Sequence, residues 1–206
     1  MEITYLGLSC LRLRGREAEV LVDPLPVGTR GPKVSPDIVV RTEGETDPNL
    51  LRQHAGRPQE VGGEGEYEIR GVTIVGFAAE ASTIMRIEVD DVRIAALGRF
   101  RRQLTEDEVD ALGHIDVLAV PVGGGDALGA TDATKLVNAL EPAIVVPVRY
   151  RVAGLPGDYE GVERFVKEMG LADGWTPQAK LNLTGSLGAT DDTRVVVLEA
   201  RAAVPA

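Results

Sequence analysis

The chain changes rhythm near its middle, and that change limits the folds open to it. Before residue 100 the apolar residues fall in short runs, Glu2 to Leu6, Cys10 to Arg14, Ala18 to Val22 and Asp37 to Arg41, each bounded by Gly, Pro or Asp. Such runs read as strands and their boundaries as turns. The pattern continues through Glu66 to Arg70, Val72 to Phe77, Thr83 to Val89 and Val92 to Leu97, and Asp90-Asp91 between the last two predicts a tight hairpin. One short helix is expected in this half, near Pro48 to His54.

After residue 100, strands alternate with helices. Thr105-Glu106-Asp107-Glu108 has the form of a capping box, in which Thr and Glu side chains each satisfy a backbone donor of the other, and it predicts a helix to about Leu112. Ile115 to Val122 and Ala143 to Val148 are apolar runs short enough to be buried strands, while Thr131 to Leu140 and Tyr159 to Met169 predict helices, the second closed by Gly170. Arg194 to Leu198 reads as a final strand. Strands first, then alternating helix and strand, predict an α/β (α+β) arrangement of two packed sheets with helices outside. A chain of 206 residues, 44% hydrophobic, can bury one good core. A single domain over 1–206 is expected, with pseudo-halves of about 1–100 and 101–206.

Composition limits the chemistry. With two histidines, His54 and His114, and one cysteine, Cys10, no set of three or four soft ligands for zinc can be assembled within one chain. A bound metal would have to be a hard ion held by carboxylates. A net charge of -10 argues against a nucleic-acid surface, which needs a concentrated basic field, though not against a local basic pocket. Arg12, Arg14 and Arg16 interrupt the first apolar stretch, so no signal peptide is expected, and no segment approaches the roughly 18 apolar residues of a membrane span. The single cysteine suits the cytoplasm. Ser9 has no adjacent base and is a poor nucleophile. Gly123-Gly124-Gly125-Asp126 lacks the Lys-Ser/Thr of a phosphate-binding loop and is expected to be a turn.

Several segments together carry a resemblance. They are Tyr5-Leu6-Gly7-Leu8-Ser9-Cys10-Leu11-Arg12-Leu13, Val22-Asp23-Pro24, Gly63-Glu64-Gly65-Glu66-Tyr67-Glu68, Ile115 through Gly124, and Glu141 through Tyr150. In order and spacing the chain resembles the metallo-β-lactamase-fold superfamily, within it the small bacterial Zn-dependent-hydrolase branch, over nearly its full length. The resemblance implies a four-layer αββα sandwich, two mixed sheets flanked by helices, with a metal site at one edge. It also implies where the ligands should fall. The paired histidines fall on Glu43 and Glu45, their aspartate is kept as Asp47, and the next histidine falls on Pro48. The third-histidine loop falls near Phe77 to Ser82 and offers only Glu80. The bridging aspartate falls on Arg99, the last histidine on Arg149, and the histidine of the first glycine turn on Leu8. Only Asp23 and Asp47 of the polar constellation remain.

The replacements suggest a coordinated exchange. Carboxylates crowded in a vacated dication site raise one another's pKa unless a cation takes the metal's place. A network of Glu43, Glu45, Asp47, Arg99 and Arg149 is therefore expected to fill the former cavity, with no zinc, no catalytic residue and no cofactor. Three functions stay open: a catalytically degenerate binding or assembly module, which could be a homo-oligomer; a hydrolase using Mg²⁺ or Mn²⁺ through Asp23, Glu43, Glu45 and Asp47; and a binder of a small anion at Arg99 and Arg149, without turnover. No nucleic-acid or membrane partner is expected.

Overall fold

The strands and helices follow the change of rhythm. In chain order they are β1 (Glu2–Gly7), β2 (Cys10–Arg14), β3 (Glu19–Val22), β4 (Ile38–Arg41), β5 (Gln59–Gly62), β6 (Gly65–Ile69), β7 (Val72–Ala79), β8 (Ser82–Val89) and β9 (Val92–Ala96). Then come α1 (Glu106–Leu112), β10 (Val117–Pro121), α2 (Ala130–Leu140), β11 (Ile144–Val148), α3 (Val162–Glu168), β12 (Leu181–Asn182) and β13 (Arg194–Val195). The computed structural model describes residues 1–29, 31–44, 57–79, 82–171, 174–188 and 192–202. The helix expected near Pro48 to His54 lies outside the described residues.

Two mixed sheets result. The first has the order β12-β1-β2-β3-β4-β5, the second β13-β11-β10-β9-β8-β7-β6. Pairing is antiparallel from β12 to β3 and from β6 to β9, and parallel along β3-β4-β5 and β9-β10-β11-β13. The alternation of side chains along a strand assigns the faces. Val20, Val22, Ile38 and Val40 join Ile87, Ile94 and Val120 in the large core, while Leu21 and Val39 point the other way, into a smaller cluster with Leu6, Cys10 and Val34. Every residue of β10 and β11 is buried, as expected for parallel strands covered on both faces. In α2 the buried Ala133, Leu136, Val137 and Leu140 have helical spacing and form the apolar stripe that packs inward.

The local signals mostly hold. Thr105 caps α1 with a complete capping box, its side chain accepting from Glu108 N–H while Glu108 accepts from Thr105 N–H. Asp90 and Asp91 both adopt positive φ between paired Val89 and Val92, the geometry of a two-residue hairpin. Three expectations need correction. The helix proposed from Tyr159 starts only at Val162, because Glu160 N–H donates to Gly123 and Arg151 N–H to Glu160, holding residues 159 and 160 out of the helix. The final strand is two residues long, with Leu198 forming only an isolated bridge to Gln178. Strand β5 was not anticipated, since of its four residues only Val61 is buried. Among the described residues no helix is long and apolar enough to cross a membrane.

Candidate functional site

The carboxyl ends of parallel strands from both sheets meet at one edge of the sandwich. Strand ends of this kind are where open α/β sheets hold ligands, because the loops that follow are free to diverge. Asp23 follows β3, Thr42 and Glu43 follow β4, Gly98 and Arg99 follow β9, Asp126 follows β10, and Arg149 follows β11. Leu8 and Ser9 enter from the β1–β2 turn. Leu8, Asp23 and Arg149 are all non-glycine residues with positive φ, at 52°, 43° and 52°. Such backbone is costly and persists where surrounding structure imposes it, and Arg149 N–H donating to Leu8 C=O at 2.7 Å is one such constraint.

Among the described residues the Asp23 carboxylate is tied to a single neighbour. One carboxylate oxygen accepts from Thr42 N–H at 2.8 Å and the other from Thr42 Oγ1 at 2.8 Å. Although the residue keeps some exposed surface, its carboxyl is withdrawn from solvent. That desolvation raises its pKa to about 6, against the lowering effect of the Thr42 hydrogen bonds, with Glu43 raising it further and Arg149 lowering it. Gly98 allows the close packing: at φ 57° it would place a Cβ 1.9 Å from Thr42 Oγ1 and 3.2 Å from Asp23 Oδ2.

Arg149 and Asp126 form the centre of the site. Arg149 Nε donates to Asp126 Oδ1 at 3.0 Å and Nη2 to Oδ2 at 2.8 Å, a bidentate fork, while Nη1 reaches Ser9 Oγ at 3.3 Å. Its side chain is only 12% exposed, and the guanidinium lies 5.3 Å from the centre of the Tyr159 ring. Tyr159 in turn donates its hydroxyl to Asp126 Oδ1 at 3.0 Å. Arg99 bridges outward, its Nε to Glu43 and its Nη1 to Asp126 Oδ2 at 3.3 Å. Asp126 is consequently held well below the usual carboxylate range, first by the hydrogen bonds from Arg149, against desolvation, and then by the charge of Arg149 and the bonds from Tyr159 and Arg99.

Of the six positions inferred from sequence, the structure brings Asp23, Glu43, Arg99 and Arg149 to one edge; Glu45 and Asp47 lie outside the described residues. The expected partnership needs one correction. Arg99 takes Glu43, but Arg149 takes Asp126 and Ser9, because the loop after β10 delivers Asp126 directly across from the end of β11. Asp126 and Tyr159 were missed. The one available signal was an acidic residue at the carboxyl end of a buried parallel strand, and the Gly-rich run ahead of it reads as a turn.

The sequence model of the β-lactamase superfamily domain matches residues 2–149. The chain belongs to that superfamily. A UPF0173 protein of Pyrococcus abyssi is 22% identical over 191 residues, covering 80% of this chain and 90% of its own length. A UPF0173 metal-dependent hydrolase of Methanospirillum hungatei is 25% identical over 187 residues, covering 73% and 83%. Among solved structures, a candidate Zn-dependent hydrolase of the metallo-β-lactamase superfamily from Thermotoga maritima superposes with a TM-score of 0.80 and 26% identity, covering 96% of this chain and 100% of that one. The two-sheet fold described above is that of the metallo-β-lactamase superfamily.

The metal in those relatives' names sets a test for the residues present. Zinc calls for three or four His, Cys or carboxylate ligands converging on one point. Among the described residues no group of three or more His, Cys, Asp or Glu is arranged to hold a metal ion. Of the nearby carboxylates, Asp23 is closed by Thr42, Asp126 by Arg149, Arg99 and Tyr159, and Glu43 by Arg99. Cys10 is fully buried in the smaller cluster, and its thiol pKa is driven above the usual range by desolvation. His114 lies with Asp116 before β10, at the opposite strand ends. The described side chains do not fit a superfamily zinc site.

Proposed function

We propose that this chain is a zinc-independent, catalytically degenerate member of its superfamily, a binding or assembly module in which an arginine and carboxylate array occupies the edge where metal-dependent relatives bind theirs. The Arg149–Asp126 fork, extended by Arg99 to Glu43, supports this reading most strongly. Two guanidiniums among these carboxylates supply the positive charge that a dication would otherwise bring. The same charges would repel an entering ion.

That repulsion weighs against a hydrolase using Mg²⁺ or Mn²⁺ through Asp23, Glu43, Glu45 and Asp47, even though oxygen ligands suit such ions. The names of the relatives describe a metal-dependent reaction, and that reaction requires the ligands. As a module of this kind the protein would act in the cytoplasm without nucleic-acid or membrane partners, and light scattering would decide between monomer and homo-oligomer.

Elemental analysis of protein purified without chelator, with melting in EDTA, Zn²⁺ and Mn²⁺, tests the reading. We expect under about 0.1 metal ion per chain and melting points within about 1 °C of one another, since a ligand that does not bind cannot shift stability. Near-stoichiometric metal together with a lower melting point in EDTA would overturn it.

A further inference from the structure

Beside the array lies a cleft of about 290 Å³, lined by Glu43, Ala79, Ser82, the Arg99–Arg102 turn and Asp126. Its cations differ in how far they are committed. Arg102 is clamped by Glu108, at 2.8 Å and 2.6 Å, and stacks over Phe100 at 5.1 Å. Arg99 spends its Nε on Glu43 and one Nη on Asp126, yet its side chain is 47% exposed and, among the described residues, the second Nη has no partner. Arg101 is held only through Nε, which donates to the Asp126 backbone carbonyl at 3.1 Å. Among the described residues it has no carboxylate partner, so both Nη groups remain to be satisfied. Arg149, by contrast, is consumed by Asp126.

A guanidinium carries five N–H donors, and one anchored by its Nε presents the far edge as a fixed pair of donors. Holding Arg99 and Arg101 through separate anchors on one turn removes much of the ordering cost that a surface arginine meets on binding. Ser82 adds a hydroxyl whose only bond among the described residues is a long one, 3.4 Å to Ala79 C=O. The lining sets three arginines against the two carboxylates Glu43 and Asp126, on a protein whose net charge is -10.

We propose that this cleft binds the phosphate group of a small ligand, with Arg101 as the principal contact, the free edge of Arg99 as the second and Ser82 as a hydroxyl donor. The proposal deepens the metal-independent reading above, since it places anion recognition on side chains alone. It also moves the anion site from the Arg99 and Arg149 pair to Arg99 and Arg101.

The test is calorimetric titration of inorganic phosphate, with acetate as the comparison anion, into the purified protein, with and without EDTA and at ionic strength matched with chloride, for wild type, Arg101→Ala, Arg101→Lys and Arg93→Ala. Arg93 is an exposed arginine paired with Glu88 on the β8–β9 hairpin and serves as the control. Saturable binding by wild type and by the Arg93 variant is expected, weakened at least about tenfold in Arg101→Ala and less in Arg101→Lys, the loss of one charge-assisted contact. Equal binding by wild type and Arg101→Ala, or no saturable phosphate binding by wild type, would overturn the proposal, as would acetate binding more tightly than phosphate. Phosphate binding that EDTA abolishes and Arg101→Ala preserves would instead indicate a bound metal. That would contradict the metal-independent reading and this site together, whereas metal found alongside Arg101-dependent binding in EDTA would contradict only the former.

Discussion

Two carboxyl groups withdrawn from water, at opposite ends of the parallel strands, behave in opposite ways. Asp116, just before β10, is fully buried, yet it accepts from Arg93 N–H at 2.8 Å, Leu187 N–H at 2.6 Å, Ser186 Oγ at 2.9 Å and lies 3.2 Å from His114 Nε2. Desolvation raises its pKa, but these donors outweigh it and the net shift is downward. Asp23, after β3, has donors among the described residues from Thr42 alone, and its pKa rises to about 6. A desolvated carboxylate is comfortable when dipoles or a cation replace its lost water, and uncomfortable otherwise. At the Asp116 end the chain supplies those dipoles. At the Asp23 end it does not, and the nearest compensation comes from Arg149, itself committed to Asp126.

The comparison breaks most readily at Asp116. Replacing it with Ala empties a fully buried position and strands the part-buried backbone N–H groups of Arg93 and Leu187, and a loss of about 3 kcal/mol in urea unfolding is expected. A loss below about 1 kcal/mol would show that the carboxylate is not the latch described. Asp126→Ala comes next, at about 2 kcal/mol, because it leaves the largely buried Arg149 guanidinium without its fork. A double-mutant cycle with Arg149→Ala should return a coupling of about 1–2 kcal/mol, and additivity would deny the pairing.

Asp23→Asn sharpens the contrast through pH. Because the folded-state pKa is raised, the folded chain holds a proton that the unfolded chain has lost between about pH 4 and 6, so wild-type stability falls as pH rises through that window. Ionising such a group costs about 3 kcal/mol more than in water, an upper bound on the slope's total. Urea midpoints measured from pH 4 to 8 should show this fall in wild type and not in Asp23→Asn, which equals or exceeds wild type above pH 6. Superimposable profiles would contradict the assignment. The smallest effect is expected at Arg99→Ala, below about 1 kcal/mol, since that side chain is 47% exposed.

How far these features were legible in the sequence depended on the range of the interactions that set them. The Thr105 box, the Asp90-Asp91 hairpin and the apolar runs of β10 and β11 are local, and each was readable. The left-handed backbone at Arg149 is held by a bond to distant Leu8, and the placement of Asp126 opposite it by contacts 23 residues apart across two strands, which no spacing rule encodes. Tyr159 was assigned to a helix for the same reason: its segment is helix-compatible alone and is held out only by bonds of its neighbours to distant residues. The arginines at 99 and 149 were legible because of the resemblance, which sets an arginine at each position where it expects a ligand. Glu45 and Asp47 belong to that same inference and lie outside the described residues.

The central claim is that the chain balances the charge of this edge with its own arginines. Calorimetric titration of Zn²⁺ into chelator-stripped wild-type protein tests it most directly. The account predicts no saturable binding up to about 100 µM Zn²⁺, an affinity ceiling far weaker than structural or catalytic zinc sites reach. One equivalent of zinc bound at micromolar or tighter affinity, lost when Asp23 and Glu43 are replaced by Ala, would contradict it.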